Sequence, residues 1–510
     1  MTTNGRANKL APGGAPVRGG ERSRWIAAIA VLVLLTEQTA LGFQLIAPAL
    51  GGLAAEFQTT QIIWVITIFT LVGGVMTPVV GRLGDRYGKR RVLLGAAAVS
   101  LVGSVICALA PSFGVLLVGR ALMGVSAAFL PITYALIRDV FPATWRDMSI
   151  SIATNGVGVV TIAGPFLAGF LIDNISLESV FWFTAALSTV GALGTIALVP
   201  ESPVRNREPI DVAGAVVLVI GMLGLLLGIS QVQNWGLTSG RTLLCLGASL
   251  AVLVGWWVYE SRIAHPFVDT RLLRQRPFAT VIFAHGFAVS AITVIASYLP
   301  TFLQTPRALG GDYGFGLDAT GVAKYLVIPG ILTVVGGVAV GALSRRYGFR
   351  SFLMLGSLLI AAGSVGLSLL TTESWMPIAM YGLVGIGAMV YAAGPNLMMT
   401  LSPAAHRGVS AGMLGAAASV ISSAAAQVAG LLLNENVSRV VGGYPIYSSH
   451  GVFLAFSVAA AIAILGFVIA LFVPRERRVD GVAVADDVVE VPGSDGHTST
   501  PPSDGELATR

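Results

Sequence analysis

Long apolar runs separated by short polar stretches repeat along this chain from residue 25 to residue 473. Fourteen can be marked, at 25–50, 61–82, 91–110, 115–137, 148–172, 179–199, 211–232, 241–259, 278–303, 318–343, 351–370, 376–400, 408–433 and 450–473. Each approaches or exceeds the roughly 20 residues that a helix needs to cross the hydrocarbon core. Inside lipid every backbone donor and acceptor must be satisfied without water, which makes helices the reading here. Several runs are parted by only a few polar residues, so neighbours are expected as antiparallel hairpins. The expected fold class is an all-α integral membrane protein of about 14 spans.

Charge tests that count. With the amino terminus in the cytoplasm and the spans alternating, inner segments hold Arg6, Lys9, Arg18, Arg22 and Arg24. They also hold Arg82, Arg86, Lys89, Arg90, Arg91 and sixteen further arginines from Arg138 to Arg510. Outer loops hold only Arg241, Arg307 and Arg439, while Arg120 and Lys324 lie within spans. Cytoplasmic loops are enriched in Lys and Arg, and one span more or fewer would throw several clusters to the wrong side. Both termini are therefore expected in the cytoplasm.

Composition narrows the class. Hydrophobic residues make up 55% and charged residues 11%, with a mean hydropathy of +0.81. Soluble domains carry about 25% charged residues, so a water-soluble fold is excluded. The net charge of +6 sits in inner loops, where topology accounts for it, and no nucleic-acid partner is expected. Cys107 and Cys245 both fall in apolar runs. They are too few for a disulfide framework and lack metal-ligand spacing, so no metal site is expected. The first 24 residues are polar and basic, and the run after them spans rather than being cleaved. A Gly- and Ala-rich chain of this kind suggests a bacterial inner membrane. Nothing marks an oligomer interface, and a monomer is the expectation.

The chain also repeats itself. Gly81-Arg-Leu-Gly-Asp-Arg-Tyr-Gly-Lys-Arg returns 260 residues later as Gly341-Ala-Leu-Ser-Arg-Arg-Tyr-Gly-Phe-Arg. Leu122-Met-Gly124 returns as Leu383-Val-Gly385, and Trp145-Arg146 aligns with His406-Arg407. Two homologous halves of six helices follow, with a path between them near the midplane. The expected units are a cytoplasmic tail at 1–24, a bundle at 25–199, a linker with two extra spans at 200–277, a second bundle at 278–474 and a disordered cytoplasmic tail at 475–510.

The loop Gly81-Arg82-Leu83-Gly84-Asp85-Arg86-Tyr87-Gly88-Lys89-Arg90-Arg91 resembles the loop signature of the major facilitator superfamily, Gly-x-Leu-x-Asp-Arg-x-Gly-Arg/Lys-Arg. Arg120-Ala-Leu-Met-Gly124-Val-Ser-Ala127-Ala128 is similar to that family's Arg-x-x-Gln-Gly-x-Gly-Ala-Ala motif, with Met123 in place of Gln. Gly164-Pro165-Phe-Leu-Ala-Gly169 resembles the Gly-Pro-x-x-Gly-Gly motif typical of exporters, and 260–278 resembles the linker of fourteen-spanner drug:proton antiporters. The resemblance covers about residues 25–474 and implies two six-helix bundles, the two extra helices and a proton-driven exporter without cofactor. It also implies that Asp85 takes part in gating. Its carboxylate sits where it can meet a cytoplasmic arginine or a helix end. Asp139, at the inner end of span four, is the expected partner of Arg86 or Arg90. Gly84-Asp-Arg-Tyr-Gly88-Lys89 is one residue short of a phosphate loop and lacks its Ser/Thr, so no nucleotide site is read there.

Glu37 is the sharpest single residue. It lies near the middle of span one, where an ionised carboxyl is costly. A group there can take a proton from the outer side and release it inside, or hold a cationic substrate. Relatives usually carry Asp-x-Thr a little further along, and Thr39 stands near that point. Gln44, two turns on, is expected on the same face. Arg120 is ionised within a span and must face a cavity or partner. Its expected role is to hold a carboxylate and tune it, with snorkelling as the alternative. Pro165 removes a backbone hydrogen bond and is expected to kink span five, with neighbouring glycines packing closely against the other half. Cavity candidates are Gln44, Asn155, His285, Tyr391, Asn396 and Gln427, although His285 reads more readily as structural, and helix-packing hydrogen bonds are the equal alternative for Asn155, Tyr391, Asn396 and Gln427. Lys324 is expected to snorkel.

The reading is a secondary transporter that exports amphipathic, often cationic, drug-like compounds against protons. The rivals are an exporter of one metabolite or lipid, and a symporter. No catalytic triad, metal cluster or nucleotide loop points to an enzyme.

Overall fold

Thirteen helical segments in the computed structural model are long and apolar enough to cross a membrane. The helix Ala143–Asn174, 32 residues long, lies between the fourth and fifth of them. The structure describes residues 19–204, 211–236, 238–263, 266, 274–310, 313–369, 375–401, 407–441, 444–474, 476–479 and 482–485.

The amino-terminal bundle comprises α1 (Gly19–Thr36), α2 (Gln38–Gln44), α3 (Leu50–Glu56), α4 (Trp64–Tyr87), α5 (Lys89–Ala108), α6 (Phe113–Met123), α7 (Phe129–Val140), α8 (Ala143–Asn174) and α9 (Ser179–Leu198). Helices α10 (Val212–Ser230), α11 (Val232–Trp235) and α12 (Gly240–Glu260) form the insertion. The carboxy-terminal bundle holds α13 (Arg276–Gln304), α14 (Arg307–Gly310), α15 (Ala319–Tyr347), α16 (Phe349–Ser368), α17 (Trp375–Gly387), α18 (Val390–Leu401), α19 (Arg407–Glu435) and α20 (Ser449–Ala470).

Local chemistry explains several starts and stops. Asp211, Ser239, Asp318 and Ser448 each accept a backbone N–H three residues on and so cap α10, α12, α15 and α20. Gly88 (φ 116°) and Gly348 (φ 76°) turn the chain between α4 and α5 and between α15 and α16, a backbone region that favours glycine.

The first span ends earlier than the apolar run at 25–50. It covers Ser23–Gln44 with a one-residue discontinuity at Glu37. Beside it, the Thr36 hydroxyl donates back to the Val33 carbonyl at 3.0 Å, a bond that bends helices. Pro48 has no N–H to extend the ladder, so residues 45–49 turn before α3. The fourth span tightens to a 3-10 segment at Gly124–Ala128, and the run at 376–400 divides into α17 and α18.

Two antiparallel hairpins were not expected. The strands β1 (Val437–Val441) and β2 (Tyr444–Tyr447) pair between α19 and α20. Beyond the last span β3 (Glu476–Val479) pairs with β4 (Val482–Ala485), which corrects the expectation of disorder from residue 475. Gly442-Gly443 and Asp480-Gly481 stand between the strands, and both dipeptides are hairpin signals. Residues 486–510 lie outside the described set.

The bundles meet along two helix pairs. Against α19, α4 sets Ile63 beside Gly430, Thr67 beside Gln427, Thr70 beside Ser423 and Gly74 beside Ser419. In the second pair, the end of α8 meets the start of α15. Towards the end that carries the Gly88 and Gly348 turns, Gly81, Gly341, Gly412 and Gly415 have no described atom within 4 Å of where a Cβ would stand, so the contacts lie towards the end that carries Gly430 and Thr320. The insertion sits at the same seam: α10 packs on α12, α4 and α19. The Trp64 indole donates to Ser230 at 2.9 Å.

Candidate functional site

The loop between α4 and α5 is built on Lys89, which is buried. Its ammonium lies 2.7 Å from Asp139 and 3.3 Å from Asp85. Asp139 therefore pairs with Lys89, not with Arg86 or Arg90. The reason lies in helix phase: Gly88 starts α5 so that Lys89, its first residue, points inward to α7. The Ser202 hydroxyl donates to the same Asp139 carboxylate. Arg86 lies over the Tyr87 ring at 5.4 Å. Arg90 reaches the Thr195 carbonyl at 3.4 Å and donates to Ile196 as well, at the end of α9. Glu201 accepts the N–H groups of Arg90 and Arg91 at 3.0 Å each and so fills the open donors at the start of α5. Gly84 lets α4 approach α7, because a Cβ there would stand 2.9 Å from Ile132. Arg82 donates to the Pro266 carbonyl at 2.9 Å, which ties the loop to the linker. Asp85 remains half exposed and meets no carboxy-terminal residue within ion-pair distance among the described residues.

Near the middle of the first span Glu37 is buried, and neither carboxyl oxygen has a hydrogen-bond partner. Its neighbour Gln38 donates to the Thr184 carbonyl at 3.0 Å and to Ser188. Thr39 donates to the Ser126 carbonyl at 2.7 Å, in the 3-10 segment.

Arg120 does not snorkel. It is 1% exposed, and its guanidinium donates to the carbonyls of Val65 at 2.9 Å and Gly42 at 3.1 Å. It also stacks over Phe69 at 4.4 Å. The Gly42 carbonyl is free for it because Ile46 bonds to Phe43 instead as the chain turns before Pro48. Arg120 thus holds backbone where the first span ends, and the expected ion pair with Glu37 is absent among the described residues. Close packing sets this up: a Cβ at Gly124 would lie 2.7 Å from the Phe69 carbonyl.

The Gly164-Pro165-Gly169 segment divides its work. Gly164 packs on Gln44 of its own bundle, where an added Cβ would stand 3.0 Å from the Gln44 Cβ, so only part of the motif faces the other half. Gly169 does, lying so close to Thr320 that an added Cβ would stand 2.7 Å from its Cα. Helix α8 runs through Pro165 without interruption.

Of the cavity candidates, Gln427 is buried between the bundles and donates to Thr67 at 3.1 Å. His285 is packed shut against Gly394 with Nδ1 unpartnered, the structural reading. Asn396 is exposed and donates to the Ala392 carbonyl of its own helix at 2.8 Å. Tyr391 is exposed, as is Lys324. The Asn155 side chain lies outside the described set. Among the described residues no three His, Cys, Asp or Glu side chains gather as a metal site would require. Reasoning from the sequence missed Gln38, Glu201 and Ser202, whose partners are more than a hundred residues distant or on another helix.

The family model described as Major Facilitator Superfamily matches residues 32–426 and 306–492. A tetracenomycin C resistance and export protein of Streptomyces glaucescens is 27% identical over 81% of this chain and 85% of its own. A uridine/deoxyuridine transporter of Lactococcus lactis is 28% identical over 78% of this chain and 86% of its own. Among solved structures, a bacterial homologue of the human lysosomal transporter Spinster, inward-facing and unoccupied, aligns with a TM-score of 0.63 at 14% identity, over 89% of this chain and 98% of its own.

Proposed function

The chain belongs to the Major Facilitator Superfamily, and from that premise we propose that it is a proton-driven antiporter exporting amphipathic, often cationic, compounds. It is a multi-pass membrane transporter and not an enzyme. The observation that carries the proton reading is Glu37: a buried carboxyl whose two oxygens have no partner. Such a group is costly to leave charged and unpaired, and a proton or a cationic ligand relieves that cost. Arg120 is too fully occupied with backbone to neutralise it. Its role is to hold the end of the first span in the shape that keeps Glu37 unpaired.

In this reading a proton enters from the outer side of a bacterial inner membrane, binds Glu37 and leaves to the cytoplasm as the two bundles rock. No cofactor takes part, a single chain suffices, and both termini are cytoplasmic. The export direction draws on the likeness to the tetracenomycin C export protein. The nucleoside transporter at similar identity favours a second reading, a carrier for one metabolite, in either direction.

The test uses proteoliposomes with a pH dye inside, an imposed pH gradient and a panel of lipophilic cations and nucleosides. Proton movement on adding a cation, lost in Glu37→Gln while downhill exchange persists, is the expected result. A response to nucleosides alone would replace the drug reading, and uphill transport unchanged in Glu37→Gln would remove Glu37 from the mechanism.

A further inference from the structure

The start of α15 is capped from two bundles at once. A helix leaves its first backbone N–H groups without intrahelical partners. Here Asp318, the residue before the helix, accepts Gly321 N–H at 2.6 Å. The two donors ahead of it go elsewhere. Asp173, at the outer end of α8 in the opposite bundle, accepts Thr320 N–H at 2.9 Å and Ala319 N–H at 3.4 Å. The Thr320 hydroxyl donates to the same Asp173 oxygen at 2.7 Å.

One turn back from Asp173, Gly169 makes the approach possible. A Cβ there would stand 2.7 Å from both Cα and N of Thr320, so any other residue would push the helices apart. A second bridge crosses nearby: Gln304 donates to the Pro48 carbonyl at 3.0 Å. Between these bridges lies a cavity of about 410 Å³, bordered by Asp173, Gln304, Pro48, Leu177, Leu317 and Ile446.

We propose that Asp173 is the extracellular latch of this transporter, a positioning residue that holds the outer ends of the two bundles together by capping α15. A charged acceptor at a helix start gains from the helix dipole as well as from the bonds. Asp173 is exposed, so water can replace its bonds as the bundles part, and a gate needs a contact that can be exchanged in this way. When the mouth opens, Ala319 and Thr320 lose their acceptor while Asp318 goes on capping Gly321. The helix therefore survives the opening, and only the cross-bundle part of its cap is surrendered.

The test reads access to the cavity. Leu177→Cys serves as reporter, with Cys107 and Cys245 replaced by serine, and a membrane-impermeant maleimide is added outside. Labelling should accelerate several-fold in Asp173→Ala and less in Asp173→Asn, which keeps an acceptor oxygen. Thr320→Ala should give a smaller rise of its own and add nothing to Asp173→Ala, because the hydroxyl then has no cross-bundle partner left. Unchanged labelling in Asp173→Ala, or additive effects in the double variant, would overturn the latch. Should Asp173→Ala fail to reach the membrane, Asp173→Asn and Thr320→Ala decide alone, and unchanged labelling in both sinks the idea. The measurement requires no substrate and no proton gradient, so its failure leaves the reading of Glu37 standing.

Discussion

Glycines at 88 and 348, both with positive φ, turn the chain between the second and third helices of each bundle. Two residues on, Arg90 reaches the carbonyls of Thr195 and Ile196 at the end of α9. Arg350 does the same in the other half, 3.4 Å from the Ala470 carbonyl and 2.8 Å from that of Leu471 at the end of α20. The close approaches repeat as well. Gly124 stands against the Phe69 carbonyl and Gly385 against that of Pro329; Gly103 meets the Gly119 carbonyl and Gly363 that of Met380. The scaffolds are therefore duplicates. The charges are not. Asp85 and Lys89 have Arg345 and Phe349 in the corresponding places, 260 residues on, and Arg120 has Tyr381, 261 residues on. Duplication preserved the contacts that close each bundle, and among the described residues ion pairs and a buried guanidinium occur in the first half alone.

If charge separates two otherwise equal scaffolds, Arg120→Met should have the largest effect, since it removes the buried cation whose place Tyr381 takes in the second half. It strips the Gly42 and Val65 carbonyls of a charged donor. The expected cost is on the order of 3 kcal/mol, read as a lower unfolding temperature in detergent and lost transport. A stable, active variant would show that the guanidinium is dispensable.

Next come Gly124→Val and Gly385→Val, each of which forces a side chain onto a neighbouring carbonyl. Each should destabilise by about 1–3 kcal/mol. Near-equal shifts in thermal unfolding support equivalent scaffolds, and a large inequality refutes them.

Lys89→Met leaves Asp139 with the Ser202 hydroxyl and no cation among the described residues. The pair is only partly screened by solvent, and an initial transport rate about tenfold lower, equivalent to ~1.4 kcal/mol, is expected. The converse change, Phe349→Lys, should not raise the rate, because the second half offers no acid at 345.

Asp85→Asn should do least to stability. It removes a half-exposed contact to Lys89 across the Gly88 turn, worth about 0.2–1 kcal/mol. Its effect belongs in turnover, measured with several substrates. An altered substrate range at normal turnover would contradict a gating role.

Much of this was legible in advance. The spans followed from run length and from the inward bias of arginine, because lipid permits few alternatives to a helix. Gly169 was expected against the other half, and it meets Thr320 there. Glu37 was singled out from its depth alone, and its burial follows. The partners were less legible. Arg120 promised a carboxylate and found two carbonyls, because the turn before Pro48 frees an acceptor that helical periodicity does not anticipate. Lys89 took the acid expected for Arg86 or Arg90, since one residue of helix phase turns a side chain by about 100°. The hairpin between α19 and α20 did carry a signal, Gly442-Gly443, hidden by the expectation that loops between spans are irregular.

The sequence by itself determined the spans, the duplication and the depth of each charge. Those follow from the cost of burying polar groups in hydrocarbon, which acts on each segment separately. Only the tertiary structure decided who bonds to whom: Arg120 with Gly42, Lys89 with Asp139, Asp173 with the start of α15. Such pairs depend on the rotation and translation of one helix against another. Glycine contacts and interrupted ladders set those, and they are relations between segments that no segment encodes alone.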